Sequence, residues 1–214
     1  ITGVKAMTGT PVNDAPTATN LSAAETYTED IPLNLIDIVA SDVDSANITV
    51  TLALSNVAAG SLTTGTSGAV TSTFAAGVWT ASGAIADVNA LLAGVTFTPT
   101  LNFNSNFTIA TSVSDGVAAA ITGSKNMTGV AVNDAPTATN LSAAETYTED
   151  TALNLIDIVA SDVDSANITV TLALSNVAAG SLTTGTSGAV TSTFAAGVWT
   201  ASGAIADVNA LLAG

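Results

Sequence analysis

The chain contains no cysteine and no histidine, and only two of its 214 residues are basic, Lys5 and Lys125. The absence of cysteine excludes disulfides, thiolate metal sites and a cysteine nucleophile. Binding to phosphate groups requires lysine and arginine, so a net charge of −15 excludes nucleic acid and an anionic membrane surface as partners. No apolar run approaches the ~18 residues of a membrane-spanning helix. Direct membrane insertion is therefore not expected.

The same scarcity argues against an enzyme. A serine or threonine nucleophile has no base beside it in a chain without histidine. The carboxylates of Asp42 and Asp44 would serve a glycosidase only within a cleft, and a small repeated domain offers none. Aromatic residues make up 4% of the chain, which leaves few side chains to stack on sugars. We expect no catalytic residues.

The most informative feature that is present is a long internal repeat. Residues 1–94 recur as residues 121–214, an offset of 120, with six differing pairs. This period matches a whole domain with its own core rather than one solenoid unit. We expect 1–12 to be the last strand of a preceding module. Residues 13–132 are expected to form a complete repeat, and 133–214 a second repeat truncated before its last two strands.

The residue pattern within one repeat predicts an all-β sandwich of about seven strands with one short helix. A hairpin is expected in Thr71–Ser82, with Ala76-Gly77 near its turn. The helix is expected over Ala84–Leu92, with Ser82 as a possible N-cap and with Ile85, Val88 and Leu92 on one face. The other predicted strands are Thr17–Thr28, Leu33–Val39, Asn47–Ser55, Val95–Thr100, Asn106–Ser114 and Ala118–Thr128.

Acidic residues fall in three groups that indicate a cation site. Residues 41–45 read Ser-Asp-Val-Asp-Ser, in which Asp42 and Asp44 are two apart and project to one side of an extended backbone. Ca²⁺ takes six to eight oxygen ligands from carboxylates, amides and carbonyls. The other two groups are residues 12–16 and 27–30.

The alternative explanation of these residues is structural. Asp and Asn in such sequences are also ordinary turn formers that accept hydrogen bonds from their own backbone. For Glu25, Asp37 and Asp87 we prefer a solvated charge or a cap, and for Asp115, beside Gly116, a turn. The three groups together favour calcium, because the chain has so few basic partners for their charge.

The combination of these motifs resembles cadherin-like modules, which have a D-x-N-D-x-P linker, an early Glu and a D-x-D segment. Asn133-Asp134-Ala135-Pro136 matches the linker, Glu29 the early Glu, and Asp162-Val163-Asp164 the D-x-D. The L-D-R-E segment of the family corresponds to residues 101–104, where Asn102 and Asn104 replace both acids. The stretch 97–116 looks more like the bacterial version, the cadherin-like or Ig-like extender modules of giant repeats-in-toxin surface adhesins.

The resemblance implies a set of Ca²⁺ ligands at the junctions between modules. Asn102 and Asn104 would add neutral oxygens to the inner junction, and Glu149 would face a further module. The inner junction would use Glu29, Asn133, Asp134, Asp162 and Asp164, and the equivalent N-terminal site Asn13, Asp14, Asp42 and Asp44.

The function that follows is a structural extender of a large extracellular, cell-surface adhesin, stiffened by Ca²⁺ at its linkers. Its partners would be neighbouring modules of the same chain. Two alternatives stay open. One is a repeated ligand- or glycan-binding module, which would expose Trp79. The other is the subunit of a fibre that is completed by strand donation between copies.

Overall fold

The computed structural model describes all 214 residues, and the chain forms two compact units, 1–132 (unit 1) and 133–214 (unit 2). The prediction of an all-β fold is confirmed, since short strands dominate both units. No helix in the chain has the length and apolar character to cross a bilayer. The elements of unit 1 are β1 (Thr17–Ala18), β2 (Glu25–Thr28), β3 (Leu33–Asn34), β4 (Ala40–Ser41), β5 (Asn47–Leu54), β6 (Gly60–Leu62), β7 (Thr66–Ser67), β8 (Val70–Thr71), β9 (Thr73–Ala75), β10 (Val78–Ala84), α1 (Ile85–Leu92), β11 (Thr96–Pro99), β12 (Phe107–Ser114) and β13 (Ile121–Val130).

Unit 1 has a six-stranded sheet in the order β2-β13-β12-β5-β10-β9 and a three-stranded sheet in the order β3-β11-β6. All pairings are antiparallel except β13 with β2, which is parallel. The inward residues of both sheets form one core that includes Trp79, fully buried with its indole N–H donating to the Thr63 carbonyl at 3.0 Å. Tyr27 packs in this core against Phe97, Phe103 and Phe107, with ring centroids 5.2–6.4 Å apart.

The predicted strands differ from the observed ones mainly near the start of the repeat. Asn20, at a φ of 59°, turns the chain between β1 and β2, so Thr17–Thr28 is not continuous. Only Leu33 and Asn34 of the run 33–39 form a strand. The hairpin is confirmed, with Ala76 and Gly77 both at positive φ in its turn, as a two-residue turn of a twisted hairpin requires.

Ser82 is not the N-cap of α1. It lies within β10, where its hydroxyl pairs with that of Thr49 across the strands at 2.7 Å. The helix begins after Ala84, which provides no side-chain cap. Val88 and Leu92 lie on the inner face of the helix and are buried, as their spacing predicts.

Glu25 is not a solvated charge, because it forms a buried ion pair. The Lys125 ammonium lies 3.0 Å from the Glu25 carboxylate, and their side chains are 1% and 4% exposed. The ammonium also donates to the Ile36 carbonyl, and the carboxylate accepts from the Ile36 N–H. This network joins β13 and β2 to the segment after β3.

The outward face of the six-stranded sheet carries no charged residue. Its outward positions are occupied by Thr, Ser, Asn, Ala and Val. Ser112, Thr51 and Thr80 lie side by side in one row of hydroxyl groups across three strands. The neighbouring row is apolar, with Ala110 beside Ala53 and Ala53 beside Val78. All of the carboxylates of unit 1 lie elsewhere.

Unit 2 repeats part of this architecture. Its three-stranded sheet has the order β16 (Asn167–Ala173), β20 (Val198–Ala204), β19 (Thr193–Ala195) and corresponds to β5-β10-β9 of unit 1. Residues 145–148, which match β2, form no strand and are exposed. Unit 2 has a cavity of about 180 Å³, lined by residues such as Leu153 and Leu155. The counterparts of these two residues in unit 1 are covered by β11 and by Val95 before it. Its elements are β14 (Thr137–Ala138), β15 (Ala160–Ser161), β16 (Asn167–Ala173), a 3₁₀ turn (Val177–Ala179), β17 (Thr186–Ser187), β18 (Val190–Thr191), β19 (Thr193–Ala195), β20 (Val198–Ala204) and α2 (Ile205–Leu212).

The buried ion pair gives a stability prediction with an internal control. Replacing Lys125 by Met leaves the Glu25 carboxylate buried without its counter-ion, so we expect unit 1 to lose about 3–5 kcal/mol of unfolding free energy. Lys5→Met removes the matching lysine of the repeat, which is exposed, and should change stability by less than about 0.5 kcal/mol. Urea unfolding followed by Trp79 fluorescence, in a Trp199→Phe background, measures both. Equal effects of the two substitutions would contradict the assignment.

Candidate cation site

The turn after β4 holds the two closely spaced carboxylates of unit 1. Asp42 Oδ1 accepts hydrogen bonds from the backbone N–H groups of Asp44, at 2.9 Å, and Ser45, at 2.7 Å. Asp44 Oδ2 accepts from the N–H of Asp14 at 2.8 Å. The structure thus brings Asn13, Asp14, Asp42 and Asp44 together, and we call these four residues the first Asx cluster. Asp42 Oδ1 therefore acts as the turn explanation expects, whereas Asp44 Oδ2 bonds to a backbone group 30 positions away.

The second oxygen of Asp42 is different. Asp42 Oδ2 is buried and has no hydrogen-bond donor. Buried polar atoms nearly always have a partner, and a carboxylate oxygen without one is costly. A hard cation takes such an oxygen as a ligand. The donor set of the first Asx cluster, carboxylates with an amide and backbone carbonyls, therefore fits Ca²⁺.

The sequence did not predict that Asp115 belongs beside this cluster. The Asn13 amide donates to Asp115 Oδ2 at 2.6 Å and to the Asp14 carbonyl at 2.8 Å. Asp115 Oδ1 accepts from the N–H groups of Val117 and Ala118, so the expected turn is also present. These hydrogen bonds, that from Asn13 first, hold the pKa of the Asp115 carboxyl below its ordinary value. Asn13 and Asp115 are 102 positions apart, and no local pattern indicates the contact.

Unit 2 forms the same arrangement, which we call the second Asx cluster. Asp162 Oδ1 accepts from Asp164 N–H at 2.9 Å and from Ser165 N–H at 2.7 Å. Asp164 Oδ2 accepts from Asp134 N–H at 2.6 Å, and the Asn133 amide donates to the Asp134 carbonyl at 2.8 Å. The cluster is therefore specified by residues of the first part of the repeat alone.

Glu29 belongs to a separate group. Its side chain is buried, with 1% exposed. Oε1 accepts from the Val132 N–H at 2.5 Å and Oε2 from the Asn104 amide at 3.0 Å. Burial, and then the negative charge of Glu29, raises the pKa of Tyr27. Both oxygens of Glu29 are thus bonded to protein donors, and they fasten the backbone that leads out of β13.

The remaining predicted ligands make other contacts within their own units. Asn102, at a φ of 58°, donates its N–H to Asp30 Oδ1 at 2.9 Å. Glu149, the counterpart of Glu29, is exposed at a turn. Nowhere in the chain do three or more acidic side chains converge as a preformed metal cage. The carboxylates come together in pairs, and each pair is completed by backbone and amide groups.

The Asn13–Asp115 contact predicts a specific change in acid titration. We expect Asn13→Ala to raise the pKa of Asp115 towards its ordinary value, because the largest cause of the lowering is removed. Asn133→Ala, the matched change in the other repeat, should leave it unchanged. Carboxyl-detected NMR titration measures this pKa. Because the folded pKa is depressed, the stability that Asp115 contributes is present above its ordinary pKa and is lost as the pH falls through the folded value. An unchanged pKa in Asn13→Ala would contradict the contact.

No family model and no curated protein matches this chain. Among solved structures, it is similar to protocadherin gamma B2 extracellular cadherin domains 1–5, with 16% identity and a TM-score of 0.40 over 91% of this chain and 33% of that one. Domains 3–6 of protocadherin gamma B2 give 13% identity and a TM-score of 0.35, over 88% and 38%. The protocadherin gammaB7 EC3-6 cis-dimer structure gives 10% and 0.33, over 88% and 38%. The chain spans little more than a third of the length of these structures.

Proposed function

We propose that this chain is a non-catalytic spacer in an extracellular, cell-surface array of repeats, and that each repeat binds Ca²⁺ at its Asx cluster. The observation that carries the proposal is the buried Oδ2 atom of Asp42, which has no hydrogen-bond donor. No basic side chain neutralises it, because Lys125 is paired with Glu25 and Lys5 lies in the exposed segment 1–10. Ca²⁺ supplies the missing positive charge without requiring a basic residue.

The residues that would hold the ion are already oriented by the backbone. The N–H groups of Asp44 and Ser45 fix one oxygen of Asp42, and the N–H of Asp14 fixes one oxygen of Asp44. The remaining oxygens of Asp42 and Asp44, with those of Asp14 and Asn13, form the ligand set of unit 1. In unit 2 the corresponding residues are Asp162, Asp164, Asp134 and Asn133.

Two residues of this ligand set, Asn133 and Asp134, belong to the linker between the repeats. Asn133 and Asp134 directly follow Val132, whose N–H is bonded to Glu29 in the interior of unit 1. A cation that binds Asn133, Asp134, Asp162 and Asp164 would restrict the conformational freedom of the linker backbone. Glu29 already holds this backbone at Val132, the residue before Asn133. Stiffening of each linker suits a spacer, since its reach then increases with the number of repeats.

Burial of the tryptophans supports a spacer over a glycan-binding module. Trp79 is 0% exposed and Trp199 is 3% exposed, and both indole N–H groups donate to backbone carbonyls. Neither ring is available for stacking on a sugar.

Calcium binding to the folded state predicts a rise in thermal stability. Extracellular calcium modules bind with Kd of roughly 10⁻⁴–10⁻³ M, so roughly 10 mM Ca²⁺ should add about 1.4–2.7 kcal/mol at one site. We expect the unfolding midpoint to rise in Ca²⁺ and to return to its original value with a chelator. The measurement is a thermal melt of the full chain, with Mg²⁺ at the same ionic strength as a control.

The matched variants for this melt are Asp42→Asn and Asp37→Asn. The first removes the charge of the carboxylate whose Oδ2 lacks a donor. We expect it to abolish the calcium-dependent rise in the unfolding midpoint of unit 1. The second changes an exposed carboxylate outside the clusters and should leave the rise intact. A calcium effect that is equally large in both variants, or absent in the wild type, would refute the assignment of the site.

Stiffening of the linker makes a separate prediction. The chain has no cysteine, so labels can be attached at Thr64→Cys in unit 1 and at Thr184→Cys, the matching exposed position of unit 2. We expect a narrower distribution of label distances in Ca²⁺ than in chelator, measured by pulsed electron paramagnetic resonance. A pair at Thr64→Cys and Thr128→Cys, within unit 1, should not change. Equal widths with and without Ca²⁺ for the first pair would leave a metal site with no stiffening role.

A further inference from the structure

The two groups of the buried ion pair are also a nucleophile and an acyl group. Lys125 Nζ lies 3.0 Å from Glu25 Oε1, and the two side chains are 1% and 4% exposed. An amine and a carboxyl group that are held in contact, away from water, are the reactants from which an amide bond forms. The geometry of the ion pair thus meets the first requirement for a covalent bond between the two side chains.

The chain has basic residues at this position of the repeat and nowhere else. Its only basic residues are Lys5 and Lys125, which occupy equivalent positions of the two copies, and Glu25 recurs as Glu145. In the complete repeat 13–132, the single basic residue thus faces a buried carboxyl group. A lysine that served only to balance surface charge would lie on the surface, where Lys and Glu are normally found.

The pairing of β2 with β13 brings the two side chains within reach. Met127 is opposite Glu25 in the parallel register, so Lys125 is the diagonal neighbour of Glu25, two positions back along β13. Both Lys125 and Glu25 are buried. Diagonal neighbours on one face of a sheet can be bridged by long side chains. The contact is therefore fixed by two paired strands and not by a flexible loop.

The backbone of Ile36 orients both reacting groups. Its N–H donates at 2.7 Å to Glu25 Oε1, the same oxygen that the Lys125 ammonium contacts. Its carbonyl accepts from Lys125 Nζ at 2.9 Å. The N–H would stabilise the negative charge that Oε1 carries when nitrogen adds to the carboxyl carbon. Well-oriented intramolecular reactions reach effective concentrations of about 10⁵–10⁸ M.

We infer that Lys125 and Glu25 condense to form an amide bond between Nζ and the Glu25 side-chain carbon Cδ, with the loss of one water molecule. The ammonium gives one proton to the carboxylate, the neutral nitrogen adds to Cδ, and the Cδ–Oε2 bond breaks. Oε2 leaves as water, with the two protons that the ammonium has lost. The reaction needs no oxidant and no further reactant. It replaces two buried charges by a neutral amide, and charges are costly to bury.

The bond would supply the cross-link that a chain without cysteine cannot form as a disulfide. The ion pair is the state from which it forms. The bond joins β2 to β13 and closes a loop over the 100 positions that separate Glu25 from Lys125. Closing such a loop removes conformational freedom from the unfolded chain. The strands β2 and β13 could then not separate under tension, which suits a spacer.

Intact mass spectrometry of the full chain tests the bond. We expect the wild-type protein, incubated in its folded state, to be lighter than its sequence by the mass of one water molecule. Fragmentation of a digest should show a branched peptide that joins Glu25 to Lys125. Lys125→Arg keeps the positive charge but removes the amine, so it should have the full mass, whereas Lys5→Arg should retain the loss. A wild-type chain of full mass would overturn the inference.

The variants also separate this bond from the dehydration of aspartate. Asp115 directly precedes Gly116, and its side chain is able to lose water by forming a cyclic imide with the next backbone nitrogen. That loss would persist in Lys125→Arg and in Glu25→Ala, whereas the loss through the amide bond disappears in both. Persistence of the loss in Lys125→Arg would refute the bond. Chelation of calcium should change none of these masses, so the result is independent of the cation site.

Discussion

The ion pair between Lys125 and Glu25 lies where the parallel strands β13 and β2 meet inside unit 1. These residues are 100 positions apart, and no hairpin fixes the register of the two strands. The Ile36 N–H donates to the Glu25 carboxylate and the Ile36 carbonyl accepts from the Lys125 ammonium, which extends the network to the segment after β3. Breaking it would leave a charge in the core. Both the pairing of the edge strand β2 with β13 and the path of the chain towards the linker depend on this ion pair.

Glu29 makes a second contact between the ends of the same two strands. It follows directly on β2 and binds the Val132 N–H, beyond the last residue of β13. The interior of unit 1 thereby controls the backbone from which Asn133 and Asp134 continue. A buried ion pair and a buried carboxylate thus hold the last residues of unit 1, directly before Asn133.

Local patterns in the sequence predicted a good part of this arrangement. Alternation predicted β5, and the residue pattern also predicted β12. The Ala76-Gly77 turn placed the β9–β10 hairpin, and helical spacing placed Val88 and Leu92 on the buried face of α1. The turn of Asp42 and Asp44 depends on backbone atoms two and three residues away, so its geometry is also readable from the sequence.

The rest depends on contacts between distant residues. Glu25 and Glu145 have the same neighbours in the sequence, yet only Glu25 is buried, because β13 supplies Lys125. Asp115 joins Asn13 across 102 positions, and Ser82 pairs with Thr49 instead of capping the helix. A single sequence shows what each residue is able to do, whereas the sheet order decides which partner it meets.

The uncharged outer face of the six-stranded sheet has a consequence for how the module responds to its surroundings. Rows of hydroxyl and methyl groups contain nothing that titrates between acid and alkaline pH. Salt screens charges, so it has little to act on along this flank. The hydration of this broad flank therefore stays constant when the acidity or the ionic strength of the surroundings changes.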